Sequence, residues 1–151
     1  MEDISNQLSE VMKTTLATSF AYYLKAHYYH WNVEGPDFKQ YHDLFGGIYE
    51  EVYDSIDPMA EEIRALGAYA PGSFSRYSQL SQVADETVIP DALTMAARLL
   101  ADTNTLIALL STAFEVSEQN KQYGLSDFIA GRIDAMRKHA WMLRATTKTN
   151  T

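Results

Sequence analysis

The chain has 151 residues, 46% of them hydrophobic and 21% charged, the balance of one ordinary globular domain with a single substantial core. It has no cysteine, which excludes disulfides, thiolate metal sites and cysteine nucleophiles. Twelve basic against twenty acidic residues give a formal net charge of −8, which opposes attraction to phosphate backbones.

The opening MEDISNQLSE is acidic and polar, without the basic start and apolar core of a secretory signal, and no apolar run is read as approaching a membrane span. A cytoplasmic address and one domain over 1–151 are the expectations. Ile4, Leu8, Val11, Met12, Leu16, Phe20, Tyr23, Leu24, His27 and His30 step by three and four, which predicts one long amphipathic helix. Glu34, Gly35 and Pro36 break it. Asp37 is placed to cap a second helix, with Gln40 completing a capping box, and that helix is expected from about Phe38 to Leu66 with Gly67 as its stop. Pro58 lies inside it and should remove one backbone hydrogen bond, bending the helix near Asp57.

Residues 68–89 read as a long crossover containing a short helix from Ser73 to Leu80. Pro90 and Asp91 open a third long helix, with Met95, Leu99, Leu106, Leu110, Ala113 and Val116 inward and Gly124 ending it. Ser126 is placed to cap a fourth, with Ile129, Ile133, Met136, Ala140 and Leu143 inward. Four long helices with one long middle connection predict an all-α four-helix bundle.

The chemistry concentrates in residues 27–67. His27, His30 and His42 lie there, and Asp57 and Glu61 stand four apart, on one face of a helix. Hard oxygen with imidazole nitrogen suits iron, manganese or zinc. The fifteen residues from His42 to Asp57 span roughly 22 Å of helix, far beyond the ~2 Å reach of a metal bond. One copy cannot gather all four side chains. Those residues amount to about four turns plus roughly 60°, which leaves both ends on one broad face. An antiparallel partner would therefore set Asp57 and Glu61 opposite His42, predicting a two-fold dimer with two equivalent sites. Without the motif, Asp57 and Glu61 would be an ordinary solvated pair and Trp31 a core or interface aromatic. Tyr49, Glu50 and Tyr53 share the face of His42 and read as interface residues, while His27 and His139 read as packed or capping. Bundles that hold two metals inside one subunit use Glu-x-x-His pairs; here the residues three before the histidines are Leu24, His27, Lys39 and Met136.

HWNVEGPDF at 30–38, His42, then Asp57, Ala60 and Glu61, with APGSF at 70–74 and AWMLRA at 140–145, resemble the signature of the Dps family, the DNA-binding proteins from starved cells or miniferritins. The resemblance covers nearly the whole chain. It implies a ferritin-like subunit, a hollow shell of twelve, and oxidation of ferrous iron at dimer-interface sites, preferably with hydrogen peroxide, the ferric mineral being stored inside. His30, His42, Asp57 and Glu61 match family iron ligands, with zinc or manganese as possible substitutes. Trp31 matches a tryptophan that can intercept stray oxidising radicals. Asp127 resembles an acidic position lining the three-fold pores, beside the plainer reading of charge stabilisation at a helix N-terminus.

One position departs from the pattern: many members carry a further carboxylate four residues after the second histidine, where this chain has Gly46, followed by Gly47. Tyr53 from across the two-fold axis, or Glu50, is the expected filler of the vacated space, leaving one firm metal and a weak or absent second. The rival expectation is a catalytically weakened shell. Binding to DNA is not expected, because the first twelve residues contain no lysine or arginine and the C-terminal KTNT offers one lysine.

Overall fold

The computed structural model describes residues 4–148, with side chains from Asn6 onward. The first three residues of the N-terminal segment, the Ile4 side chain and all of the KTNT segment beyond Lys148 lie outside the described residues. Five helices follow one another: α1 Ile4–Asn32, α2 Phe38–Ala65, α3 Phe74–Leu80, α4 Ala92–Gln119 and α5 Tyr123–Thr147. The all-α bundle and its crossover helix are as the periodicity predicts. α1 packs on α2 and on α4, α4 packs on α5, and short α3 leans on α1.

The core is carried by α1 through Leu8, Met12, Leu16, Ala17, Tyr22, Ala26 and Tyr29, all fully buried, against Phe45, Ile48, Val52 and Ile63 of α2 and Met95, Leu99 and Leu106 of α4. The α1 stripe is thus rotated from expectation: Leu24 is exposed, and the large buried rings are Tyr22 and Tyr29. Burial is possible because each phenol has a partner, Tyr22 at Thr103 Oγ1 (2.7 Å) and Tyr29 donating to Glu86 Oε1 (2.7 Å). Burial pushes both hydroxyls well above the usual tyrosine range. Glu86 also pairs with Arg98 at 2.7 Å, and Lys25 donates to the Ala84 carbonyl at 3.0 Å, so the crossover is pinned to α1 and α4 at two points.

The helix ends show which local signals operate. Gly67 has φ +93°, its N–H bonds Arg64 O at 2.9 Å and Ala68 N–H bonds Ile63 O at 3.3 Å, the paired bonds of a Schellman stop. Ser73 accepts from Arg76 N–H and Asp91 from Thr94 N–H, capping α3 and α4. Asp37 precedes α2 without a side-chain cap bond, so the predicted capping box is not formed. α2 continues through Pro58. The α4–α5 turn also differs from expectation. It is made by Lys121, held at φ 56°, with Gln122 N–H bonded to Ser117 O, and α5 starts before Gly124. Ser126 is therefore buried inside α5, its hydroxyl 2.8 Å from Ser117 Oγ. One further correction concerns α4, where an 18-residue window of mean hydropathy 1.3 is long and apolar enough to cross a membrane. In the bundle the same residues serve two neighbours, α1 and α5, and a helix packed on two sides is apolar on two sides.

Candidate metal centre

The α1–α2 hairpin turns through Gly35, at φ 117°, and this tight reversal sets the last turn of α1 beside the first turns of α2. His30 and His42 are joined there by reciprocal bonds: His30 Nδ1 lies 2.7 Å from the His42 carbonyl oxygen, and His42 Nδ1 lies 2.7 Å from the His30 carbonyl oxygen. A carbonyl only accepts, so each Nδ1 carries its hydrogen and donates. In the neutral rings each Nε2 is then left with a bare lone pair, the state a metal ligand requires, held by the second-shell bond that commonly orients ligating imidazoles. The two rings stack with centroids 3.8 Å apart and 17° between planes, and both are partly exposed.

Gly46 belongs to this arrangement. A Cβ built there would lie 3.0 Å from His30 Cε1 and 3.1 Å from its Nδ1. The space beside Gly46 is thus lined by the imidazole of the same chain, while Glu50 and Tyr53, the expected fillers, are exposed. Gly47 meets nothing within 4 Å.

Asp57 and Glu61 lie further along α2 and are both exposed, and neither makes a side-chain ion pair or hydrogen bond among the described residues. No three His, Asp or Glu side chains converge among the described residues. The structure therefore brings His30 and His42 together and leaves Asp57 and Glu61 apart from them within one chain. Trp31 is 59% exposed, and its ring stands 3.8 Å from that of His27, which in turn stacks on Tyr49 at 3.8 Å and 8°. Asp127 is exposed on the first turns of α5.

Sequence reasoning missed a second polar cluster. Glu51 of α2 receives both guanidinium nitrogens of Arg132 and the Nε2 of His139 (2.8 Å) from α5. Burial pushes the Glu51 carboxyl up, but the hydrogen bonds from His139 and Arg132 and their charge outweigh it and hold it down at about 2. The only available signal was His139 on an otherwise inward face. Arg132 supplies the positive charge here, so the cluster is closed around the Glu51 carboxylate and is not a vacant ligand set, although His139 Nδ1 is buried without a partner among the described residues.

A family model of the ferritin-like domain matches residues 9–150. Antigen TpF1 of Treponema pallidum is 32% identical over 142 residues, spanning 93% of this chain and 80% of that protein. Its crystal structure superposes with a TM-score of 0.93 at 30% identity, over 97% of this chain and 94% of the other. DNA protection during starvation protein 2 of Bacillus anthracis is 29% identical, over 94% and 97% of the two chains. The crystal structure of the Dps protein from Vibrio cholerae O1, described as a member of a broad superfamily of ferritin-like diiron-carboxylate proteins, has a TM-score of 0.91 at 28% identity, over 96% and 91%.

Proposed function

Because the chain belongs to the Dps family of ferritin-like proteins, we propose that it oxidises ferrous iron at sites shared between two subunits and stores the ferric product inside a homo-oligomeric shell, a dodecamer by the family pattern. His30 and His42 of one subunit and Asp57 and Glu61 of its two-fold mate would hold the iron. The observation that carries this reading is the reciprocal Nδ1–carbonyl bonding, which presents two Nε2 lone pairs in a place where the described residues of the chain supply no carboxylate. A second copy is the natural source. The groove between α1, α3 and the crossover, about 750 Å³ and lined by Phe20, Leu24, Tyr28, Trp31 and Phe74, offers the apolar surface such a copy would cover.

Iron is the substrate and carries the redox change; the protein orients it. Fixed imidazoles and two anionic carboxylates favour the ferric product over the ferrous ion, since the more highly charged ion gains more from anionic oxygen ligands. Each ferrous ion gives one electron and hydrogen peroxide takes two, so oxidising iron in pairs consumes peroxide without releasing a hydroxyl radical. Trp31, exposed beside the site, would catch oxidising equivalents that escape that pairing, and Asp127 would help draw cations to a pore.

The test is peroxide-driven iron oxidation followed by absorbance. His30→Ala combined with His42→Ala should bring the rate down to that of the protein-free control. A wild-type rate no faster than that control would instead support the rival reading, a shell that binds metal without turnover, to which the absent carboxylate at Gly46 lends weight. Metal analysis of protein purified without added metal decides between iron and zinc or manganese. With a net charge of −8 per chain, retardation of plasmid DNA at ordinary salt is not expected, and a shifted band would overturn that expectation.

A further inference from the structure

The chain has six arginines, and four of them are engaged. Arg132 pairs with Glu51 and Arg98 with Glu86, Arg76 donates to Gln79 Oε1 at 3.0 Å, and Arg64 donates to the Ala68 carbonyl and lies over the Tyr69 ring. Arg137 and Arg144 make no side-chain hydrogen bond or ion pair among the described residues, and both line one cleft between α4 and α5. Its volume is about 390 Å³, and Asn104 of α4 with Asp134, Lys138 and Trp141 of α5 share its wall. Helix periodicity builds this face. Arg137, Trp141 and Arg144 are spaced by four and three residues, and they point outward because Met136, Ala140 and Leu143 are the residues that α5 buries. From Arg137 to Arg144 is about two turns, roughly 10 Å of rise, so two long guanidinium stems can close on one small anion from either side of the indole. That indole is 62% exposed.

Charge selects the occupant. Lys138 has only a loose partner in Asp134, at 3.4 Å with both ends in solvent, and the two arginines have none. Three cations against one carboxylate leave the cleft with a formal charge of +2, in a chain whose formal net charge is −8. One carboxylate from another molecule would neutralise half of that. A phosphate group carries about −1.5 to −2 at neutral pH and offers separate oxygens to each guanidinium fork. A long polyanion would also have to lie along the acidic remainder of the surface, whereas a small anion meets the cleft alone, because charges more than about 8 Å away are screened at physiological salt.

We propose that the Arg137, Trp141 and Arg144 face of α5 is a binding site for small phosphate-bearing anions. The two guanidiniums hold the phosphate oxygens. The indole supplies an N–H donor for free phosphate, or a flat surface on which the base of a nucleotide stacks. The site uses no residue of the α1–α2 hairpin and does not rest on the iron-binding reading.

The test is calorimetric titration of the assembled protein, at constant ionic strength in chloride, with inorganic phosphate and separately with adenosine monophosphate. Saturable binding is expected. Arg137→Met combined with Arg144→Met should weaken it at least tenfold, the loss that follows from removing one or more charge-assisted hydrogen bonds. Both arginines are exposed, so the variant should keep its helical circular dichroism and its assembly. A nucleotide that binds more tightly than inorganic phosphate, with Trp141→Leu abolishing the excess, identifies the nucleotide as the source of the phosphate; otherwise free phosphate is the occupant. No saturable binding to the assembled protein, the result that a neighbouring subunit seated in the cleft would give, overturns the proposal. So does binding that survives unchanged in the double arginine variant. Since no iron takes part, failure here is distinct from failure of the peroxide-driven iron oxidation assay.

Discussion

At the α1–α2 hairpin two imidazoles stand with free nitrogens and no carboxylate from the described residues of their own chain; further along α2 a carboxylate is already bonded by a guanidinium and an imidazole from α5. Both places use the same side-chain types, and the difference lies in what closes each set. Glu51 is satisfied by Arg132 and His139, so nothing is left to attract a cation. His30 and His42 spend their Nδ1 hydrogens on each other's carbonyls and keep Nε2 unspent. A chain closes its polar groups where the fold alone must be stable and leaves them open where a second molecule completes the set.

The strongest way to break this contrast is to reopen the closed cluster. Arg132→Met keeps a long apolar stem but strands Glu51 and His139 against each other without the guanidinium. The cost expected is roughly 2 kcal/mol, below the ~3–5 kcal/mol typical of a fully buried pair, because Glu51 keeps 37% of its side chain exposed. Urea unfolding measures it, and metal affinity at the hairpin should not change. A variant as stable as wild type would mean that Arg132 is not what closes the cluster.

A smaller effect is expected from closing the open one. Gly46→Ala would place a methyl 3.0 Å from a ring that is held by its bond to the His42 carbonyl and by stacking at 3.8 Å, so the ring has little freedom to yield. Overpacking and the helix preference for alanine over glycine act in opposite directions, so stability should change by less than about 1 kcal/mol. The displaced ligand should still weaken zinc or cobalt binding by about tenfold, the lower end of what is lost when the support of a metal ligand is disturbed. Calorimetric titration reads this directly. Gly46→Asp, which family comparison alone would recommend as a repair, should also weaken binding, and a gain in affinity would show that His30 moves aside freely.

The two regions also differ in how far the sequence revealed them. His30 and His42 are twelve residues apart across one hairpin, so helix periodicity and the break at Gly35 suffice to bring them together. Glu51 and His139 are 88 residues apart, and no local pattern records that α2 and α5 face each other at that level. Tyr22 and Tyr29 were missed for a related reason: their burial depends on Thr103 and Glu86, acceptors contributed by distant segments. The stop at Gly67 and the helix starts near Ser73 and Asp91 were legible because each rests on bonds within a few residues, the two starts proving to be side-chain caps. The α4–α5 turn was not, because Lys121 took a backbone conformation that glycine usually supplies while Gly124 entered the helix.

Acid unfolding offers the finest distinction between the closed cluster and its surroundings. The Glu51 carboxyl is held at about 2 in the folded chain against an ordinary value of 4.5. As pH falls through 4.5 the unfolded chain takes up a proton that the folded one refuses, so unfolding gains free energy and stability declines. The contribution is complete above the unfolded value, shrinks across the interval, and is gone once the folded carboxyl is itself protonated. Glu51→Gln removes this titration while keeping an oxygen for His139 and Arg132. The stability difference between wild type and variant, measured by urea unfolding, should therefore narrow steadily between pH 4.5 and about 2. A constant difference across that window would mean that Arg132 and His139 do not hold the Glu51 charge, and the cluster would lose its claim to be electrostatically closed.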